Sequence, residues 1–236
     1  MKESPPLDAN AAGASVRVRV WDLPTRVFHW ALVAAVTGLA VTGKLGGEWM
    51  PWHARAGYTV LALLLFRLVW GVVGGHWSRF TRFAPSSRAL LAYLRQPASA
   101  EPAGHSPLGW LSVLALLVVL FLQVGTGLVS DDREDFAGPL NAYVSNDAAR
   151  LATGYHKVIG EPLIYALVAL HVAAIAFYRV RRRRRLTRAM WTGDKTLPRG
   201  LPSSRDDGRT RWLALAVLSL CACAVAALVL LASGAA

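Results

Sequence analysis

Cysteine is nearly absent from this chain. Two occur in 236 residues, Cys221 and Cys223, both inside an apolar C-terminal run where they read as packing residues. No C-x-x-C-H occurs, which excludes covalent c-type haem attachment. Acidic residues are scarce as well: 14 Asp and Glu stand against 26 Lys and Arg, for a net charge of +12. Several long runs carry almost no charge of either sign. With 54% hydrophobic residues and mean hydropathy +0.37, the composition excludes an ordinary soluble domain. The first sixteen residues are polar and resemble no signal peptide, and the apolar run after Val27 starts beyond the usual h-region position.

What is there is a series of membrane-length apolar segments. The hydropathy pattern predicts an all-α integral membrane protein whose spans cover about 25–45, 53–74, 107–129 and 155–178, with a fifth transmembrane helix in 212–236. The organisation expected is a polar N-terminal arm (1–16), a four-helix bundle domain (17–195), a linker (196–211) and the fifth helix. Pro24 falls at the first turn of span one, where its missing N–H does no harm. Trp21, Trp30, Trp49, Trp52, Trp77, Trp110 and Trp212 fall near span ends, as an aromatic belt would place them.

Lys and Arg collect between alternate spans: four in 1–26, four in 75–106 and twelve in 179–211. By the positive-inside rule the N-terminus is cytoplasmic and the C-terminus periplasmic. The basic excess is therefore topological and no nucleic-acid partner is expected. The arginine run 179–185 reads as a stop-transfer flank in contact with anionic lipid. In SSRALLAYLRQP, Leu90, Leu91 and Leu94 share one face opposite Arg88 and Arg95, the pattern of an interfacial helix ended by Pro97. No internal repeat and no soluble domain is visible.

The chemistry lies in histidines. His156 and His171 share span four, about 22 Å apart along an ideal helix and about 60° around it. An imidazole inside a bilayer needs a partner. His29, early in span one, matches the depth of His171, and His53, at the start of span two, matches His156. Four imidazoles in two layers, each layer drawing on span four and one other helix, suit two metal centres held between facing helices. The bland reading of one histidine near a span end is an interfacial residue, and His76 takes it, having no partner at its depth. His105 is expected in solvent, in a polar loop. Gly57, Gly125 and Gly127 allow close approach of helices or of a flat macrocycle. Arg67, on the same helix as His53 and near the cytoplasmic layer, is expected to face the bundle interior toward a haem propionate.

VRVWDLPTRVFHW, WHARAGYTVLALLLFRLVWG and GYHKVIGEPLIYALVALHVAAIAFYR together resemble the bacterial cytochrome b561 / nickel-hydrogenase b-type cytochrome family, over roughly residues 17–195. The resemblance implies two non-covalent b haems, with His29 and His171 on the cytoplasmic-side iron and His53 and His156 on the outer one. It implies electron transfer in the inner membrane with a quinone, a soluble cytochrome c, superoxide, or a bound dehydrogenase or hydrogenase subunit. The fifth span is similar to the hydrogenase-type subunits. Two histidines per iron leave no open position, which favours electron transfer over oxygenase chemistry. A histidine-using proton or metal transporter and a cytochrome anchor for a partner enzyme are the rival readings. The outer loop 131–152 holds Asp131, Asp132, Glu134, Asp135 and Asp147 against Arg133 and Arg150, an acidic patch suited to a basic soluble partner.

Overall fold

The computed structural model describes residues 15–83, 86–95, 103–133 and 136–234. Strand β1 (Ser15–Arg19) leads into helix α1 (Leu23–Leu45). Asp22 caps α1 by accepting the Thr25 amide at 2.8 Å, and Pro24 occupies the first turn. The helix stops at Gly46, whose φ of 63° suits glycine, and its amide closes back on the Thr42 carbonyl. A single 3-10 turn then leads to α2 (Met50–Val73). Two short helices follow, α3 (Phe80–Phe83) and α4 (Ser87–Arg95), before α5 (Pro107–Val129). The return passes through α6 (Asn146–Gly154), a π-helical turn (Tyr155–Gly160) and α7 (Glu161–Arg181). Helix α8 (Leu186–Thr192), strand β2 (Asp194–Pro198) and α9 (Gly208–Gly234) complete the described chain.

Among the described residues five helices are long and apolar enough to cross a bilayer: α1, α2, α5, the run Asn146–Arg181, and α9. The protein is an all-helical, multi-pass membrane bundle of four helices with a fifth appended. Helix α2 is its centre. Apolar on all faces, it packs against α1, α5 and α9. The core gathers Phe28, Leu63, Leu64, Phe66 and Trp70 with Leu117, Leu120, Val124, Ile164, Ala214 and Cys221. Cys221 packs in that core while Cys223 is exposed. Helix α7 packs on α5, whereas α1 keeps to α2 and α9, so α1 and α7 face each other with little direct packing among the described residues.

A small cap joins the two ends of the four-helix core. β1 pairs antiparallel with β2, Val18 opposite Lys195 and Ser15 opposite Pro198. Beneath the pair Val18, Val20, Trp21, Ala189 and Leu197 form a second cluster. Trp21 is thus buried in the cap rather than lying in the aromatic belt. The segment expected as a linker folds onto β1. Ser204 donates from its amide to the Arg19 carbonyl at 2.8 Å, and Asp206 receives Arg19 at 2.7 Å, Arg211 at 3.1 Å and Arg26 at 3.8 Å. Asp207 caps α9 through the Thr210 amide at 2.8 Å. Because β1 and β2 pair, an even number of crossings must separate them, and the four long helices between them supply four.

Helix α4, between α3 and α5 in the chain, leaves Arg88, Leu91 and Arg95 exposed, and its Tyr93 meets the Tyr178 hydroxyl at 2.6 Å. Pro97, expected to end it, lies outside the described residues, as do residues 1–14 of the N-terminal arm.

Candidate metal centres

On the side of the membrane away from the cap, His53 in the first turn of α2 and His156 in the π turn face each other. Their ring centroids are 6.2 Å apart and their planes cross at 74°. The backbone orients both rings. His53 Nδ1 lies 3.1 Å from the Leu39 carbonyl and 3.3 Å from the Thr42 hydroxyl; His156 Nδ1 lies 2.9 Å from the Gln123 carbonyl and 3.3 Å from the Thr126 hydroxyl. A carbonyl only accepts, so each Nδ1 carries the proton and each neutral ring keeps its lone pair on Nε2. This is the second-layer hydrogen bond that metal-bound histidines use.

The π turn sets the His156 ring. Pro162, just inside α7, has no N–H to give, and the Glu161 amide reaches back to the His156 carbonyl, five residues earlier. That same carbonyl accepts the Gln123 side-chain amide at 3.0 Å. Gly160 permits the contact, since a Cβ there would collide with the Gln123 side chain. Gly127 and Gly43 play matching parts: a Cβ at either position would stand 3.0 Å from the Cε1 of His156 or His53 respectively. The π turn takes up one extra residue, so His156 and His171 stand about 40° apart in phase rather than about 60°, still on one face.

Both rings line one cavity of about 300 Å³, together with Leu39, Gly57, Tyr58, Leu120, Val124 and Ile164. A Cβ on Gly57 would meet nothing within 4 Å, so this glycine faces empty space. Two ion pairs form the rim, Lys44 with Glu161 at 2.5 Å and Lys157 with Asp132 at 3.5 Å. Tyr165 donates to Glu161 at 2.9 Å.

Near the cap, His29 on α1 and His171 on α7 are half-buried and within electrostatic reach of each other. His29 Nδ1 is buried without a hydrogen-bond partner. Arg67 lies on this side, 3% exposed, with its guanidinium 4.5 Å over the Phe80 ring and Nη1 unpartnered. His105 is half-buried rather than solvated. Its ring packs at 4.7 Å on Trp21, and Arg67, Lys195, His171 and His29 all act on it electrostatically. Burial and the Arg67 guanidinium push its pKa down to about 3, so the imidazole is neutral. His76 sits half-buried against Trp77 at 4.9 Å, its pKa lowered by burial and by Arg82 and Arg79.

Asp22 is a residue whose reach the sequence did not disclose. It is 0% exposed and accepts from the Thr25 amide at 2.8 Å, the Gly75 amide at 3.0 Å, the Ser78 hydroxyl at 2.8 Å and Trp70 Nε1 at 3.3 Å. One carboxylate thereby ties the start of α1 to the end of α2. Its cap position before Leu-Pro was a readable signal; the partners 48 to 56 residues away were not.

The family model of prokaryotic cytochrome b561 matches residues 20–193. The chain belongs to that family. As a b561-type membrane cytochrome it carries haem b and transfers electrons within the bilayer. The residues fit that group. Metal–imidazole bonds of about 2.0–2.1 Å place two rings sharing one metal about 6 Å apart between centroids, which is the spacing of His53 and His156. Among the described residues no cluster of three or more His, Cys, Asp or Glu forms a bare-ion site. Two protein donors suit a metal whose other ligands come from a macrocycle.

Curated relatives are distant. The "Probable Ni/Fe-hydrogenase B-type cytochrome subunit" of Azotobacter vinelandii is 25% identical over 191 residues, covering 66% of this chain and 80% of that protein. The like-named subunit of Bradyrhizobium diazoefficiens is 29% identical over 164 residues, covering 54% of this chain and 66% of that protein. That of Azotobacter chroococcum is 26% identical over 136 residues, covering 45% of this chain and 57% of that protein. No solved structure matches significantly.

Proposed function

We propose that this cytochrome holds two b haems and passes electrons across the membrane between them. His53 and His156 bind one iron on the periplasmic side, and His29 and His171 bind the other near the cap, which faces the cytoplasm. Arg67 receives a propionate of the cap-side haem. The observation that carries the reading is the His53–His156 pair, with rings 6.2 Å apart across a cavity and each Nδ1 held by a carbonyl. The α1–α7 separation near His29 and His171 supports a second group at the other depth.

When bound, haem supplies a one-electron couple; the protein holds it and tunes its potential through ligand hydrogen bonds, burial and nearby charge. Backbone carbonyls of Leu39 and Gln123 fix the Nδ1–H tautomer and the orientation of the outer ligands. The cytoplasmic orientation of the cap rests on the excess of Lys and Arg in the segments on that side. Partners are assigned by chemistry and by the relatives' names. A docked hydrogenase-like or dehydrogenase subunit is one terminus of the chain of carriers, and a quinone or soluble cytochrome is the other.

Haem content and reduced-minus-oxidised spectra of the purified full chain test the proposal. Two haems per chain are expected. Substitution of His53 or His156 by alanine should remove chiefly one haem, and substitution of His29 or His171 the other. A fully loaded preparation with one haem, or a His29 variant that loses the haem of His53, overturns the two-layer assignment.

A further inference from the structure

The two histidines of the outer pair sit in seats built alike. On α1, the Leu39 carbonyl and the Thr42 hydroxyl face His53 Nδ1, and Gly43 leaves room for the ring. On α5, the Gln123 carbonyl, the Thr126 hydroxyl and Gly127 do the same for His156. Positions i, i+3 and i+4 of one helix face serve each ring, and the chain spells them LAVTG and QVGTG. The seats differ at their first residue. Leucine has no polar side-chain group, whereas the Gln123 amide donates from Nε2 to the His156 carbonyl at 3.0 Å.

That difference coincides with another. His29, His53 and His171 lie in regular α-helix, and His156 alone of the four lies in a π turn, a rare conformation. Its carbonyl accepts twice, from the Glu161 amide five residues on and from Gln123. Gln123 therefore grips one residue at two points, with its carbonyl on the ring and its side chain on the backbone. Turning His156 about the helix axis breaks the second bond, and turning the ring alone breaks the first. The side chain gives up an acceptor in this arrangement. Gln123 Oε1 is buried without a hydrogen-bond partner and lies against Gly160, where a Cβ would collide with it. Exchanging the amide N and O would set oxygen against the His156 carbonyl oxygen, so the orientation is fixed. A buried acceptor left unpaired is destabilising, and the bond from the same amide to His156 offsets it.

We infer that the Gln123 side chain, lodged against Gly160, is a positioning residue for the outer iron ligand: it holds the π register that aims His156 into the cavity shared with His53. The inference rests on the ligand reading above and adds to it a side chain that ligates nothing. Without that bond the turn slips to the four-residue pattern, and His156 turns by about 100° relative to His171.

The full-length holoprotein tests this as wild type, Gln123→Leu, Gly160→Ala, Gln123→Ala, and Gln123→Ala combined with Gly160→Ala. Low-temperature EPR of the oxidised protein and retention of each haem are read. The two outer rings cross at 74°, and near-perpendicular imidazole planes give a strongly anisotropic low-spin ferric signal. A rotated ring gives a rhombic signal, and a lost ligand a high-spin one. Gln123→Leu, which makes the second seat a copy of the first, should convert the outer signal in this way and weaken retention of that haem about tenfold. Gly160→Ala should do the same with the glutamine still present, because its methyl displaces the amide. Gln123→Ala should also do so, and adding Gly160→Ala to it should change little more than the lie of the Tyr155 ring, 3.0 Å from that methyl. The haem of His29 and His171 should keep its signal throughout, which reports that the bundle has folded. An unchanged outer signal in Gln123→Leu overturns the inference. So does a fully additive Gly160→Ala effect in the Gln123→Ala background, or parallel loss of both haems in every variant, which would make Gln123 a support of the whole bundle. Loss of neither haem in His156→Ala is a separate result and refutes the ligand reading instead.

Discussion

Replacing Asp22 by alanine takes away the acceptor of four buried donors: the Thr25 and Gly75 amides, the Ser78 hydroxyl and the Trp70 indole N–H. Ser78 can turn to the Thr25 hydroxyl, 2.7 Å away, so three donors are left without a partner. Each orphaned buried group costs about 1–3 kcal/mol, and water entering from the membrane edge of the cap relieves part of that. The net loss expected is about 3–5 kcal/mol, the range for breaking a buried charged interaction from one side. For a chain of this length, one kcal/mol moves the thermal midpoint by about 2–4 °C, so the midpoint should fall by about 6–20 °C. Asp22→Asn keeps one acceptor oxygen and should fall by about half as much. Trp70→Phe removes one donor with its acceptor still satisfied, and should cost the hydrogen bond alone, about 1 kcal/mol, beyond any repacking. Heating the detergent-solubilised holoprotein, followed by circular dichroism and by Soret absorbance, reads all three. An Asp22→Ala midpoint within about 2 °C of wild type, less than 1 kcal/mol by the same scaling, would show that the carboxylate does not tie α1 to α2.

Gly127→Ala places a methyl 3.0 Å from His156 Cε1; the ring must tip, and on the two-haem proposal the haem of His53 and His156 should lose occupancy or low-spin character while that of His29 and His171 keeps both, a split seen in the reduced-minus-oxidised spectrum. The acidic outer loop is less free than its composition suggests, because Asp132 pairs with Lys157 and Asp147 with Arg150, while Glu134 and Asp135 lie outside the described residues. Charge reversal of Glu134 and Asp135 should slow electron exchange with a basic soluble cytochrome about tenfold at low ionic strength, and reversal of Asp132 should do less; a stopped-flow rate indifferent to salt and to both changes refutes docking at this loop.

The long apolar helices were legible because a bilayer imposes one strong signal, some twenty uncharged residues in a row, on each of them. The histidines could be named because an imidazole in such a run stands out. How their rings are aimed was not legible. It depends on carbonyls of Leu39 and Gln123, which every residue type carries, and on a π turn that comes from hydrogen bonds slipping by one residue ahead of Pro162. The cap was half legible. SVRVR alternates valine with basic residues as a strand does, but its partner DKTLP shows no such period, and their pairing spans the whole four-helix core. His105 looked solvated because GHSP reads as a loop, which it is; its burial comes from Trp21, on a segment far away in sequence.

The β1–β2 clamp also imposes an order on synthesis. Residues 15–19 leave the ribosome long before residues 194–198. At about 5–20 residues per second, the first strand waits roughly ten to thirty seconds for its partner. Asp22 finds Trp70, Gly75 and Ser78 early in that interval, so the α1–α2 hairpin locks first. The space between α1 and α7 cannot be bounded until the fourth long helix is in the membrane, and the clamp closes its cap-side end last. On the two-haem proposal, the cap-side haem has its widest entrance before β2 pairs, and that strand pairing is the latch that follows loading.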